Sequence, residues 1–183
     1  MKFTTRQMAL CAVFAAVISF FSVITVPVGE IPVTLGLFGV MLAAVILGPK
    51  LSVISTLIYI LLGAAGLPVF AGFKGGFQVI AGPTGGYISS YVFVAATIGG
   101  FSRVSEKHTA RTALCTIGSI IAIAICYALG TLQFVAVTKT PVAAALLKCV
   151  VPFIPFDAAK AVCASVLGTL VLGRLKLSGV SVK

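Results

Sequence analysis

The stretch TRQMALCAVFAAVISFFSVITV, Thr5–Val26, decides the fold class. It is apolar over nearly all its length, and about 20 helical residues at 1.5 Å each reach across a bilayer's hydrocarbon core. A basic start (Lys2, Arg6) precedes it. Its apolar part exceeds the roughly 7–15 residues of a signal-peptide core, so the run predicts an uncleaved first transmembrane helix. The rest of the chain agrees. Of 183 residues, 60% are hydrophobic and 9% charged, against roughly a quarter charged in soluble domains. A soluble protein of this size could not hide so much apolar surface.

Outward from that helix, Pro27, Gly29 and Pro32 interrupt helix geometry in a short loop that carries Glu30. A second run, Leu35–Leu47, stops at Gly48-Pro49-Lys50, and a third extends from Leu51 to about Ala65. Both are short for a full span, which predicts tilt or local thinning. The segment Gly66–Gly86 holds seven glycines and two prolines among Phe70, Phe73 and Phe77. That composition cannot make a straight helix. Irregular backbone at membrane depth survives only inside protein or along a cavity, which makes this the first candidate for a site. A fourth helix is expected from about Tyr87 to Phe101, and a polar loop at Ser102–Ala110. A fifth follows from about Arg111 to Val137. A second irregular stretch carries Lys139, Pro141, Lys148 and Pro152. A sixth helix is expected from about Pro155 to Gly173, before a basic tail. The expected architecture is all-α: a single six-helix transmembrane domain over residues 1–183, with an irregular loop at about 66–86.

The formal charge of +10 does not point to nucleic acid, because the basic residues lie between apolar runs and not in a stripe on a water-facing surface. Their placement sets topology instead. With a cytoplasmic N-terminus, nine fall inside: Lys2, Arg6, Lys50, Arg103, Lys107, Arg111, Arg174, Lys176 and Lys183. Three fall outside (Lys74, Lys139, Lys148), and Lys160 lies within helix six. The positive-inside rule then predicts both termini in the cytoplasm of a multi-pass plasma-membrane protein. Both irregular segments and the Glu30 loop fall on the outer side.

Asp157 and Lys160 are the sharpest chemical signal. Each costs about 2.5–3.5 kcal/mol at a helix centre by insertion scales, and three residues apart they share a helix face. They form either an ion pair that reaches the interface or the polar wall of a pocket near the outer mouth. The exposed N–H groups of a helix start favour an anionic or carbonyl-bearing ligand there. Gln78, Thr84 and Tyr87 supply an amide and hydroxyls that can orient a ligand. Phe70, Phe73 and Phe77 are candidate aromatic walls, with loop packing as the alternative. Glu30 and Lys74 read as solvated loop charges. On helix one, Ala9, Ala12, Ala16 and Ser19 form a stripe of small residues. It serves either packing within the protein or docking against another membrane protein.

Five scattered cysteines and one histidine, His108, form no metal-ligand pattern. No GxxxxGK[ST] loop is present for ATP, and a lone membrane aspartate offers no carboxylate dyad. An enzyme is not expected, nor a cofactor or metal. Active transport would need a partner or an ion gradient.

The segment GLPVFAGFKGGF (Gly66–Phe77), running on to GPTGGY (Gly82–Tyr87), closely resembles the signature of the BioY family, and PFDAAK (Pro155–Lys160) is similar to that family's Asp-x-x-Lys element. BioY proteins are the biotin-specific substrate-binding components of energy-coupling-factor (ECF) transporters. The resemblance implies a six-helix membrane protein that binds biotin from outside. Its pocket would be capped by the first loop and the glycine-rich loop. It implies Asp157, Lys160 and, in the glycine-rich loop, Gln78 as substrate contacts, to which the residue reading adds Tyr87, Phe73 and Thr84. It also implies two cytoplasmic ATPases and a transmembrane coupling protein as partners, the latter docking on Ala12-x-x-x-Ala16. Two further readings compete: a stand-alone facilitator or ion-coupled carrier of a small organic acid or another vitamin, and a membrane scaffold in which Asp157 and Lys160 are structural.

Overall fold

The computed structural model describes residues 3–26 and 32–177. Glu30, with Pro27 and Gly29, lies outside them, as do Lys2 and Lys183. Helix α1 (Thr5–Val23) opens with a capping box: the Gln7 N–H donates to Thr4 Oγ1 at 3.3 Å, and the Thr4 N–H to Gln7 Oε1 at 3.0 Å. It ends three residues before the expected Val26. Thr25–Val26 (β1) instead pairs antiparallel with Val33–Thr34 (β2), in the register Thr25↔Thr34 and Val26↔Val33. These β-branched residues favour an extended backbone.

Helix α2 (Gly36–Leu47) is the axis of the molecule. Ten of its 12 residues are buried, as expected of a helix apolar all round, and α1, α3, α5 and α8 pack around it. Helix α3 (Pro49–Ala64) follows after a single residue, Gly48, whose φ of 78° and ψ of −177° fall in a region reserved for glycine. Pro49 fits the first helical position, where its missing N–H costs nothing. Ser52 Oγ donates to the Gly48 carbonyl at 2.6 Å, and the Arg103 guanidinium lies over Gly48. Burial, reinforced by the charge of Arg111, pulls Arg103 below its usual pKa.

Beyond α3 come a 3₁₀ turn (Ala71–Phe73), the short α4 (Phe77–Ala81), α5 (Gly85–Phe101) and α6 (His108–Thr138). Then follow α7 (Val142–Cys149), a second 3₁₀ turn (Val151–Phe153) and α8 (Ile154–Leu177). Each of the two segments read as irregular holds a short helix, α4 and α7. Pro141, within the second stretch read as irregular, is the N-cap residue of α7. α6 also starts three residues earlier than Arg111, taking in His108. Among the described residues, three stretches are long and apolar enough to cross a membrane: Thr5–Val23, His108–Thr138 and Val142–Leu175. Gly36–Leu47 and Pro49–Ala64 are apolar but shorter.

Candidate functional site

At the end of the bundle away from Gly48, the hairpin, the glycine-rich segment and the α7–α8 junction meet over a cavity. It offers about 160 Å³ to the centre of a water molecule. The chain has four tyrosines, and all four (Tyr59, Tyr87, Tyr91, Tyr127) line it. A tyrosine within an apolar helix buries its ring easily but must satisfy its hydroxyl. Tyr59 bonds Ser22 of α1, Tyr87 bonds Thr131 of α6 at 3.2 Å, and Tyr127 donates to Asp157 Oδ2 at 2.7 Å.

Two helical glycines make room for these aromatics. A Cβ at Gly63 would run into the ring of Phe70, and one at Gly130 into the ring of Tyr87. Phe70, 1% exposed, thereby reaches Tyr59 edge-to-face with ring centroids 5.5 Å apart. The aromatic wall is built by removing side chains from the helices behind it.

Asp157 and Lys160 stand on the first turns of α8, just past Pro155, and are 3% and 8% exposed. Lys160 Nζ donates to Asp157 Oδ1 at 2.8 Å. Each carboxylate oxygen thus holds one protein donor and keeps acceptor capacity, while the ammonium has three donors and spends one here. Together they present acceptors and donors side by side, in a pair that is neutral overall. That suits a ligand group carrying both N–H and C=O, such as an amide or urea. Lys74, expected to be a solvated loop charge, is exposed yet borders the cavity. Among the described lining residues it leaves a net positive charge, favourable to a monoanion.

Of the expected contacts, Asp157, Lys160, Tyr87 and Thr84 come together here. Gln78 and Phe73 do not line the cavity. The Gln78 amide turns back to donate to the Gly75 carbonyl at 2.9 Å. Phe73, with φ of 58°, turns outward and is 70% exposed. Phe77 is also exposed, so Phe70 is the one wall among the three phenylalanines. Sequence reasoning missed Tyr59, Tyr91 and Tyr127, together with Ser22, Cys126, Cys149 and Phe153. The signal available for the tyrosines was a phenol embedded in an apolar run. Among the described residues, no three His, Cys, Asp or Glu side chains gather to hold a metal.

Helix α1 buries Cys11, Ala15, Ile18 and Ser22 against the bundle, Ser22 at the cavity. Ala9, Ala12 and Ala16 lie on its exposed side, and Ser19 spends its hydroxyl on the Ala15 carbonyl at 2.9 Å. The small-residue stripe is therefore not used for packing within the chain.

The family model described as "BioY family" matches residues 1–176. The chain belongs to the BioY family. Relatives include a probable biotin transporter BioY of Pyrococcus horikoshii, 37% identical over 92% of this chain and 98% of that one. A biotin transporter BioY of Thermotoga maritima is 38% identical over 88% and 93%. Among solved structures, the S-component for biotin from an ECF-type ABC transporter matches with a TM-score of 0.81 and 25% identity. That match covers 93% of this chain and 94% of the other. A BioY chain with this fold is a membrane protein of the transporter type, not an enzyme.

Proposed function

We propose that this protein captures biotin from the extracytoplasmic side and delivers it for import as the substrate-specificity subunit of an ATP-driven vitamin transporter. The observation that carries the reading is the buried Asp157–Lys160 pair, steadied by Tyr127, on the wall of a cavity that gathers every tyrosine of the chain. Biotin's urea group needs both donors and acceptors. Its compact thioether ring suits aromatic walls, and its carboxylate suits an ammonium. Asp157, Lys160, Tyr87 and Thr84 are the contacts the geometry favours; Gln78 and Phe73 belong to the glycine-rich segment without lining the cavity. Relatives and the matching structure named for biotin support the ligand.

In this reading residues 1–183 form one transmembrane domain. α1, α2, α3, α5, α6 and α8 are six spans of the plasma membrane, with both termini in the cytoplasm. The excess of Lys and Arg at the Gly48 end supports that orientation. The partners are a transmembrane coupling protein and two cytoplasmic ATPases. The exposed Ala12 and Ala16 let a partner helix approach closely. Replacing either with Leu should impair uptake in cells while leaving binding intact.

Calorimetry on the purified, detergent-solubilised protein tests the ligand directly. Biotin should saturate it without ATP, with Kd below roughly 1 μM, equivalent to about −8.2 kcal/mol. Absence of saturable heat would overturn the reading. Biotin uptake in cells lacking every coupling ATPase would instead identify a stand-alone carrier.

A further inference from the structure

The ligand cavity has a neighbour. A groove of about 670 Å³ by the same measure runs down the side of the bundle between the β1–β2 hairpin, α2 and α8. Val26, Leu35 and Phe38 form one wall, and Phe156, Ala159 and Cys163 the other. From Pro155 to Cys163 it follows α8 for about 12 Å. Its lining is almost wholly apolar, and Phe156, Ala159 and Cys163 are exposed. It is therefore a lateral feature of the bundle, not part of the opening under the glycine-rich segment.

Two residues, Thr34 and Lys160, line both the cavity and the groove. Asp157 lines only the cavity. An anionic or acyl end of a ligand is repelled by the Asp157 carboxylate and drawn to the ammonium of Lys160. Such an end, held by Lys160, would lie against the wall that the cavity and the groove share.

Resting on the biotin reading above, we propose that the site also accepts biotin extended at its carboxyl group by an alkyl chain, as in an alkyl amide, with the chain lying in this groove. The groove offers the chain what the bilayer offers, an apolar surface. Lengthening the chain therefore neither costs nor gains much. A closed cavity would behave oppositely, since each added methylene would have to displace packed protein. The same apolar lining disfavours a chain interrupted by ether oxygens, which find no donors there.

The test measures the affinity of the full-length protein in lipid nanodiscs for biotin and for its N-methyl, N-butyl and N-octyl amides. It adds an ethylene-glycol amide of octyl length. The three alkyl amides should bind within about threefold of one another, and the glycol amide at least tenfold more weakly than the octyl. Ala159→Phe, which fills the groove from α8, should leave biotin and the methyl amide unchanged and weaken the octyl amide at least tenfold. Cys163→Phe provides the same obstruction one turn on, should the first variant not fold. A tenfold fall from methyl to octyl, equal affinity of the glycol and octyl amides, or a methyl amide that fails where biotin binds would each overturn the inference. A groove held by a membrane lipid would register as the first of these. Failure of biotin itself to bind would overturn the ligand assignment as well, which separates the two cases.

Discussion

The two ends of the bundle use glycine and charge in opposite ways. At one end Gly48 closes α2 directly onto α3, Ser52 ties the turn from within, and Arg103 covers it. At the other end Gly63 and Gly130 are recesses for the rings of Phe70 and Tyr87, and the charged pair turns inward to a cavity. The first end is sealed by backbone conformation, the second held open by side-chain subtraction. The lesson is that glycine count says little. The partner facing each glycine decides whether it shuts the structure or shapes a space.

The largest effect should come from splitting the charged pair. Asp157→Ala leaves Lys160 buried without its carboxylate, a change that costs about 3–5 kcal/mol in stability. Biotin affinity should fall more than a hundredfold in calorimetry on whatever folded fraction remains. An affinity within threefold of wild type would make the pair purely structural. Next, Gly48→Ala should cost about 1–3 kcal/mol, because alanine is strained at that φ and ψ. Chemical unfolding in detergent should show it, with ligand affinity unchanged, since the sealed end takes no part in binding. Tyr127→Phe removes one hydrogen bond to a charged oxygen, worth about 1.5 kcal/mol. That loss should appear in chemical unfolding, with biotin affinity falling by several-fold as Asp157 loses the donor that steadies it. Gly63→Ala, which crowds Phe70 out of its recess, should weaken binding by several-fold. Smallest of all, Phe73→Ala and Gln78→Ala should shift affinity by less than about threefold, because neither side chain lines the cavity. A large loss at either would mean that the glycine-rich segment folds inward over bound ligand.

The broad architecture was legible because apolar runs end at Gly48-Pro49 and near Phe101, where backbone chemistry stops a helix. The charged pair was legible because the bilayer makes any intramembrane charge expensive. Side-chain direction was not. Gln78 and Phe73 lie in the right segment, yet a local bond to Gly75 and a left-handed backbone turn them away. Tyr59, Tyr91 and Tyr127 sit on three different helices, and only tertiary packing brings them together. The strands were too short to leave a periodic signal. α7 was hidden between prolines that mark its ends and do not interrupt it.

Helix α2 has a consequence for the journey of a captured molecule. Twelve residues reach only about 18 Å, some 12 Å less than the thickness of a bilayer's oily layer. Surrounding helices sheathe it, so lipid does not meet its ends and the shortfall carries little penalty. The chamber at its N-terminal end fills the missing depth. In the proposed orientation, a vitamin held there would sit below the outer surface with the length of α2 still ahead of it.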